Sequence, residues 1–215
     1  MINNKYLTLN NPSRYFIVTG GRGSGKSYSI NMLLCLLMTY EAGHTILFTR
    51  YTLRSASISI IPEFVDKIQH LKMFNDFIIT KDEIIHRETR SKILFRGIKT
   101  SSGNQVANLK SLQGVTTWVL DEAEELVDEN IFDTIDLSVR QKDIQNRVIM
   151  ILNPATKEHF IYRRFFEEAG VQAGMNHSKG DVTYIHTTYL DNKENLSKSY
   201  IAQIERIKEN NPKKY

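Results

Sequence analysis

The chain has 215 residues, 41% of them hydrophobic, enough to bury the core of one moderate domain and to exclude wholesale disorder. Its 28 basic and 24 acidic side chains leave a net charge of +4, too near neutrality to mark a polyanion-binding protein by itself. Cys35, the one cysteine, cannot form an internal disulfide and reads as a small core residue in a reducing compartment such as cytosol. The longest apolar run, Met32 to Met38, falls far short of the ~20 residues that cross a bilayer. The opening MINNKYLTLN lacks a signal-peptide core, so neither a membrane-spanning nor a secreted protein is expected.

In chain order, RYFIVTG (14 to 20) is an apolar run ending in glycine, and Tyr28 to Glu41 is apolar on nearly all sides. With HTILFTR (44 to 50) after the stop signal of Gly43, these predict a βαβ unit and hence a parallel sheet. The segment ISIIPEFVDKIQ predicts a helix after Pro62, and residues 77 to 98 alternate apolar and polar around a turn near Glu88 to Ser91, the pattern of antiparallel strands appended to a sheet. Residues 99 to 111 are polar and read as a loop. VTTWVLDEAEE (115 to 125) predicts a buried strand running into acids. Beyond it follow a helix over Asn130 to Gln141, a strand over 147 to 154, a helix over Glu158 to Ala169, a strand over 182 to 189 and a last helix over Leu196 to Lys208. Tyr200, Ile201, Ile204 and Ile207 form an apolar stripe on that helix. Alternating strands and helices define the class as α/β with an open, mostly parallel sheet.

Between the first strand and first helix stands GGRGSGKS, residues 20 to 27, which fits the phosphate-loop pattern G-x-x-x-x-G-K-[ST] from Gly20 to Ser27. Glycines Gly20, Gly21, Gly23 and Gly25, with Ser24, let the backbone curl so that N–H groups face phosphate oxygens, and the positive end of the following helix adds to them. Lys26 is expected to reach the β- and γ-phosphates and Ser27 to offer its hydroxyl to Mg²⁺. Asp121 and Glu122 close the buried run Val115 to Leu120, so they are expected beside that loop, the aspartate in the metal shell and the glutamate on the attacking water. Glu124 and Glu125 read more simply as acids favouring a helix N-terminus.

Further cations are expected around the γ-phosphate. Arg22, inside the loop where a long basic side chain has no packing reason to be, is a candidate to act in cis; Arg140 is a candidate to reach a neighbouring subunit, with a solvated helix face as the equal alternative. Asn153, at the tip of the strand ending ILNP, suits a γ-phosphate or lytic-water sensor as well as it suits a turn. A guanine-specific GTPase would show Asn-Lys-x-Asp, whereas the nearest string, NKEN at 192 to 195, ends in asparagine. A small-molecule kinase would show a lid and an acceptor site, which the sequence does not reveal.

The set RYFIVTGGRGSGKS, LKSLQGVTTWVLDEAEEL, SVRQ, ILNPATKEHFIYRRFF and TTYLDNKENLSKSYIAQIERIKENNPKKY resembles the N-terminal ATPase domain of a tailed-phage terminase large subunit, over nearly the whole chain and in order. The resemblance implies a three-layer, RecA-like P-loop NTPase of the additional-strand, catalytic-glutamate type, with an antiparallel strand beside the catalytic one. It implies ATP and Mg²⁺ at Gly21 to Ser27 and Asp121, Glu122 as catalytic carboxylate, Arg22 as catalytic, and Asn153 in the motif coupling hydrolysis to movement. Arg50 and Arg54 stand where the family carries basic residues after the second strand. The implied partners are double-stranded DNA, the portal protein, the small terminase subunit and further copies in a ring, with a monomer in isolation, in the cytoplasm of an infected bacterium. Family members continue into an RNase H-like nuclease domain, whereas this chain stops at NNPKKY, so a single ATPase domain without nuclease activity is expected. The alternatives are a helicase or recombination ATPase acting on single strands, and a nucleotide-switched scaffold that binds ATP with little turnover.

Overall fold

A computed structural model describes residues 2–52, 60–100, 103–104, 109, 112–153 and 156–210. Arg54, the start of the segment before Pro62, most of the expected loop 99 to 111 and Pro154 lie outside the described residues. In chain order the elements are β1 (Tyr15–Gly20), α1 (Lys26–Tyr40), β2 (Thr45–Thr52), α2 (Ile61–His70), β3 (Phe77–Ile79), β4 (Glu83–His86), β5 (Lys92–Thr100), β6 (Gly103–Asn104), β7 (Thr117–Asp121), α3 (Glu129–Asp136), β8 (Arg147–Leu152), α4 (Phe160–Tyr162), β9 (His177–Lys179), β10 (Val182–Thr187) and α5 (Lys198–Asn210). Short 3-10 stretches, Asn4–Asn10 and Tyr189–Asn195, flank the first and last of these.

One sheet runs in the order β3-β4-β5-β2-β7-β8-β1-β10-β9, with β6 paired to β5. Strands β5, β2, β7, β8, β1 and β10 are mutually parallel. Strands β3, β4 and β6 on one side and β9 on the other are antiparallel additions. The antiparallel strand expected beside β7 is therefore a correction: its neighbours, β2 and β8, are both parallel to it. The strand interposed between β1 and β7 is β8, parallel to both and buried at every position.

Those faces are legible residue by residue. Phe16, Val18, Ile46, Phe48, Val119 and Ile149 join Leu34, Met38 and Phe64 of α1 and α2 on one side. Their sequence neighbours Ile17, Leu47, Trp118, Leu120, Val148 and Met150 join Phe132, Phe160 and Phe165 on the other. Alternate residues of a strand point to opposite faces, so strands buried throughout make helix, sheet, helix layers. Cys35 sits in the first of these layers, 1% exposed, and burial pushes its thiol pKa up to about 12, which leaves it a packing residue.

Several boundaries differ from the sequence expectation. The helix expected to Gln141 stops at Asp136, where the next amides turn back onto Ile135 and Asp136 carbonyls and the Asp136 carboxylate is claimed from outside the helix. Arg14 Nη2 donates to its Oδ1 at 2.6 Å and the Tyr15 hydroxyl to its Oδ2 at 2.8 Å. Asp136→Ala leaves the Tyr15 hydroxyl without its acceptor and takes the carboxylate from Arg14, which keeps the Asp136 and Val139 carbonyls, and is expected to cost about 1–3 kcal/mol. Chemical denaturation checks this, an unchanged midpoint being the contrary result. The helix expected over Glu158 to Ala169 is one α turn followed by a π turn, Arg163–Glu167. Consecutive Phe165 and Phe166 are both buried, and the wider π turn lets adjacent aromatics face one core. On α5 the expected apolar stripe is only partly covered: Ile204 is buried whereas Ile207 is 39% exposed. Among the described residues no helix is long and apolar enough to cross a membrane.

Candidate active site

The carboxyl ends of β1, β7 and β8 surround a cavity of 440 Å³, within the range of small-molecule sites. Gly21, Arg22, Gly23, Ser24, Gly25, Lys26 and Ser27 form one wall, and Arg50, Glu63, Asp121, Glu122, Glu124 and Asn153 face them. Two positions of the loop favour glycine. Gly23 and Gly25 have φ of +79° and +81°, and a Cβ on Gly23 would lie 2.9 Å from the Tyr200 ring. Gly25 precedes a helix of 15 residues, whose first residues, Lys26, Ser27 and Tyr28, line the cavity.

Lys26 is held in place by neutral acceptors. Its Nζ donates to the carbonyls of Gly20 and, at 3.1 Å, of Gly21, and to Asn153 Oδ1 at 3.4 Å. Burial lowers its pKa, with Glu124 and Asp121 opposing. Asn153 donates in turn from Nδ2 to Glu124 Oε1 at 2.7 Å, and its backbone N–H reaches Glu124 Oε2 at 3.3 Å. The loop lysine, the tip of β8 and an acid after β7 are thus one hydrogen-bonded chain. Glu124 belongs to the cavity rather than only to a helix start, which corrects the simpler reading of that residue. Glu125 is exposed.

Asp121 closes β7 at 3% exposure, and burial raises its pKa against the lowering pull of Arg50. Glu122, immediately after, has φ 55° and ψ 47°, the left-handed region that a non-glycine residue enters at a cost of about 1–3 kcal/mol. That bend ends the strand and leaves its side chain on the cavity wall, 40% exposed, with Oε2 3.7 Å from Arg50 Nε. Burial raises the Glu122 pKa, Arg50 opposing and Asp121, Glu125 and Glu124 adding to the rise.

Of the residues expected from sequence, Gly21 to Ser27, Asp121, Glu122 and Asn153 are brought together, and Gly20 supplies a carbonyl to Lys26. Arg22 is exposed on the same wall, whereas Arg140 is exposed and does not line the cavity. Sequence reasoning missed the loop's braces: the Tyr6 hydroxyl lies 3.4 Å from the Ser24 carbonyl and 2.7 Å from Thr187 Oγ1, and Asn192 Nδ2 donates to Gly23 O at 2.9 Å. No local pattern marks a tyrosine or asparagine that acts across so long a stretch of chain. Glu63 was equally hidden, on the helix expected after Pro62.

A glycine loop at the end of a parallel strand, backed by a helix N-terminus and faced by acids from the next strand but one, defines a P-loop nucleoside triphosphatase fold. The profile of the phage terminase large subunit family matches residues 12–215, and the chain belongs to that family. It is 25% identical over 213 residues to the PBSX phage terminase large subunit of Bacillus subtilis strain 168, covering 94% of this chain and 47% of the relative. It is 26% identical over 212 residues to the terminase large subunit of Bacillus phage SPP1, covering 93% and 46%. The chain thus spans about half the length of these curated relatives. Among solved structures, the large terminase of a thermophilic bacteriophage matches with TM-score 0.74 at 13% identity, over 96% of this chain and 50% of that one. The large terminase ATPase domain of Thermus phage P74-26 matches with TM-score 0.67 at 17% identity, over 96% and 88%. Both share the fold, a RecA-like α/β sheet of mostly parallel strands.

Proposed function

We propose that this chain is the ATP-hydrolysing motor of a terminase large subunit, driving double-stranded DNA into a procapsid. The observation that carries the reading is the convergence of Lys26, Asp121, Glu122 and Asn153 on the cavity walled by the glycine loop. Membership of the terminase family supports it. So does the large terminase of the thermophilic bacteriophage solved in complex with ATP-γ-S, which matches with TM-score 0.69 at 13% identity over 96% of this chain and 49% of that one.

In this mechanism the loop amides and Lys26 hold the β- and γ-phosphates. Ser27 and Asp121 hold a magnesium ion, which supplies charge neutralisation at the phosphate oxygens. The donor set suits it, since magnesium is commonly bound through one or two carboxylates together with substrate phosphates. Glu122 accepts the proton of the attacking water. Arg22 steadies the charge that develops on the γ-phosphoryl, and Arg140, outside its own cavity, is assigned to that of a neighbouring copy in a ring. Asn153 carries the state of Lys26 to Glu124 and so to the end of β7. The portal and the small terminase subunit are the partners this reading assigns, and the cytoplasm of an infected bacterium is its setting.

ATPase assays over a salt series, with duplex or single-stranded DNA and over a range of protein concentration, test this reading. Turnover is expected to rise with protein concentration and more with duplex than with single strands. Stimulation by single strands alone moves the protein to the helicase class, and absence of ATP binding removes the motor reading altogether.

A further inference from the structure

Asp121 Oδ2 is already engaged. Arg50, near the carboxyl end of β2, donates to it from Nε at 2.8 Å, and its Nη2 lies 2.7 Å away as an ion pair. The two side chains are 14% and 5% exposed, so water screens the pair little. Around the same guanidinium stand two further carboxylates of the cavity, Glu122 at 3.7 Å and Glu63 on α2. Glu63 is anchored by Asn31 Nδ2, which donates to its Oε2 at 3.3 Å. Burial raises its pKa, and both Arg50 and Asp121 act on it electrostatically, the first lowering and the second raising. Arg50 therefore has acidic partners on either side of the one it holds.

We propose that Arg50 and the divalent cation compete for Asp121, so that entry of magnesium with the triphosphate moves the guanidinium off Asp121 towards Glu63 and Glu122; this rests on the assignment of Asp121 and Ser27 to that ion. A singly and a doubly charged cation at one shielded carboxylate repel each other strongly. The metal alone has only Ser27 and Asp121 to set against the close ion pair and charge-assisted hydrogen bond of Arg50, whereas metal arriving on a triphosphate brings phosphate oxygens as well. The consequence is coupling: the site discriminates against free magnesium and accepts the nucleotide complex. Arg50 is thus a positioning residue that sets when Asp121 becomes available.

The test uses binding, not turnover. Affinity for a fluorescent non-hydrolysable ATP analogue is titrated against Mg²⁺, and melting temperature is followed with Mg²⁺ and no nucleotide. In the unaltered chain Mg²⁺ alone is expected to leave the melting temperature unchanged. In Arg50→Gln it is expected to raise it, and the Mg²⁺ concentration that half-restores analogue binding is expected to fall about tenfold, the size of one charge-assisted hydrogen bond given up. Should Arg50→Gln not fold, Arg50→Lys, which keeps the charge but loses the forked donors, is expected to shift the Mg²⁺ midpoint in the same direction by less. Adding Asp121→Asn to either variant is expected to erase the shift. Unchanged or higher Mg²⁺ midpoints in the Arg50 variants overturn the proposal, because Arg50 then tolerates or assists the metal. Failure of every variant and the unaltered chain to bind the analogue strikes the nucleotide assignment instead.

Discussion

Glu122→Gln is expected to bind ATP with little change in affinity and to lower its turnover by about two to four orders of magnitude, the range of a lost general base. The substitution keeps the shape of the side chain and its reach from the left-handed residue that closes β7, so the cavity wall stays as it is. What disappears is the ability to accept a proton. Removing the charge also relieves crowding with Asp121, Glu124 and Glu125, the acids that push the Glu122 pKa up beside burial, so stability is not expected to fall. The same raised pKa gives a second signature. Only the ionised form is a base, so turnover is expected to fall as pH falls through a pKa raised from the ordinary glutamate value, and the residual turnover of Glu122→Gln is expected to lack that limb. Equilibrium binding of a labelled ATP analogue and single-turnover hydrolysis across pH measure both. A Glu122→Gln protein that hydrolyses ATP at the original rate assigns the base elsewhere in the cavity.

Lys26→Ala is expected to weaken nucleotide binding about a hundredfold, as loss of a cation directed at the β- and γ-phosphates should. Stability is expected to behave differently. Lys26 is a partly buried cation whose hydrogen bonds run to two backbone carbonyls and a carboxamide, and among the described residues no carboxylate lies within ion-pair distance of it. Removing it leaves no stranded counter-charge, so the melting temperature is expected to hold while affinity collapses. Calorimetric titration with ATP and a thermal melt read the two effects separately. Loss of both together points to a structural role for the lysine, and unchanged ATP affinity removes it from the phosphate site.

The glycine loop was legible in the bare chain, because φ values near +80° at Gly23 and Gly25 and a following helix start are requirements local to eight residues. So was the α/β class with a mostly parallel sheet, from apolar runs alternating with helical segments, while the three layers were what the family resemblance implied. Lys26, Asp121 and Glu122 could be placed beside the loop for the same reason, whereas the pattern at Asn153 suited a turn equally well. The strand order that interposes β8 between β1 and β7, the early end of α3 and the π turn at Phe165 and Phe166 emerged only once the chain was folded. Folding likewise brought Tyr6, Arg50, Glu63, Glu124 and Asn192 to the cavity or its loop. Each of these acts on a partner that another element delivers, through a hydrogen bond or ion pair whose strength depends on distance in space, and periodicity carries no record of that distance.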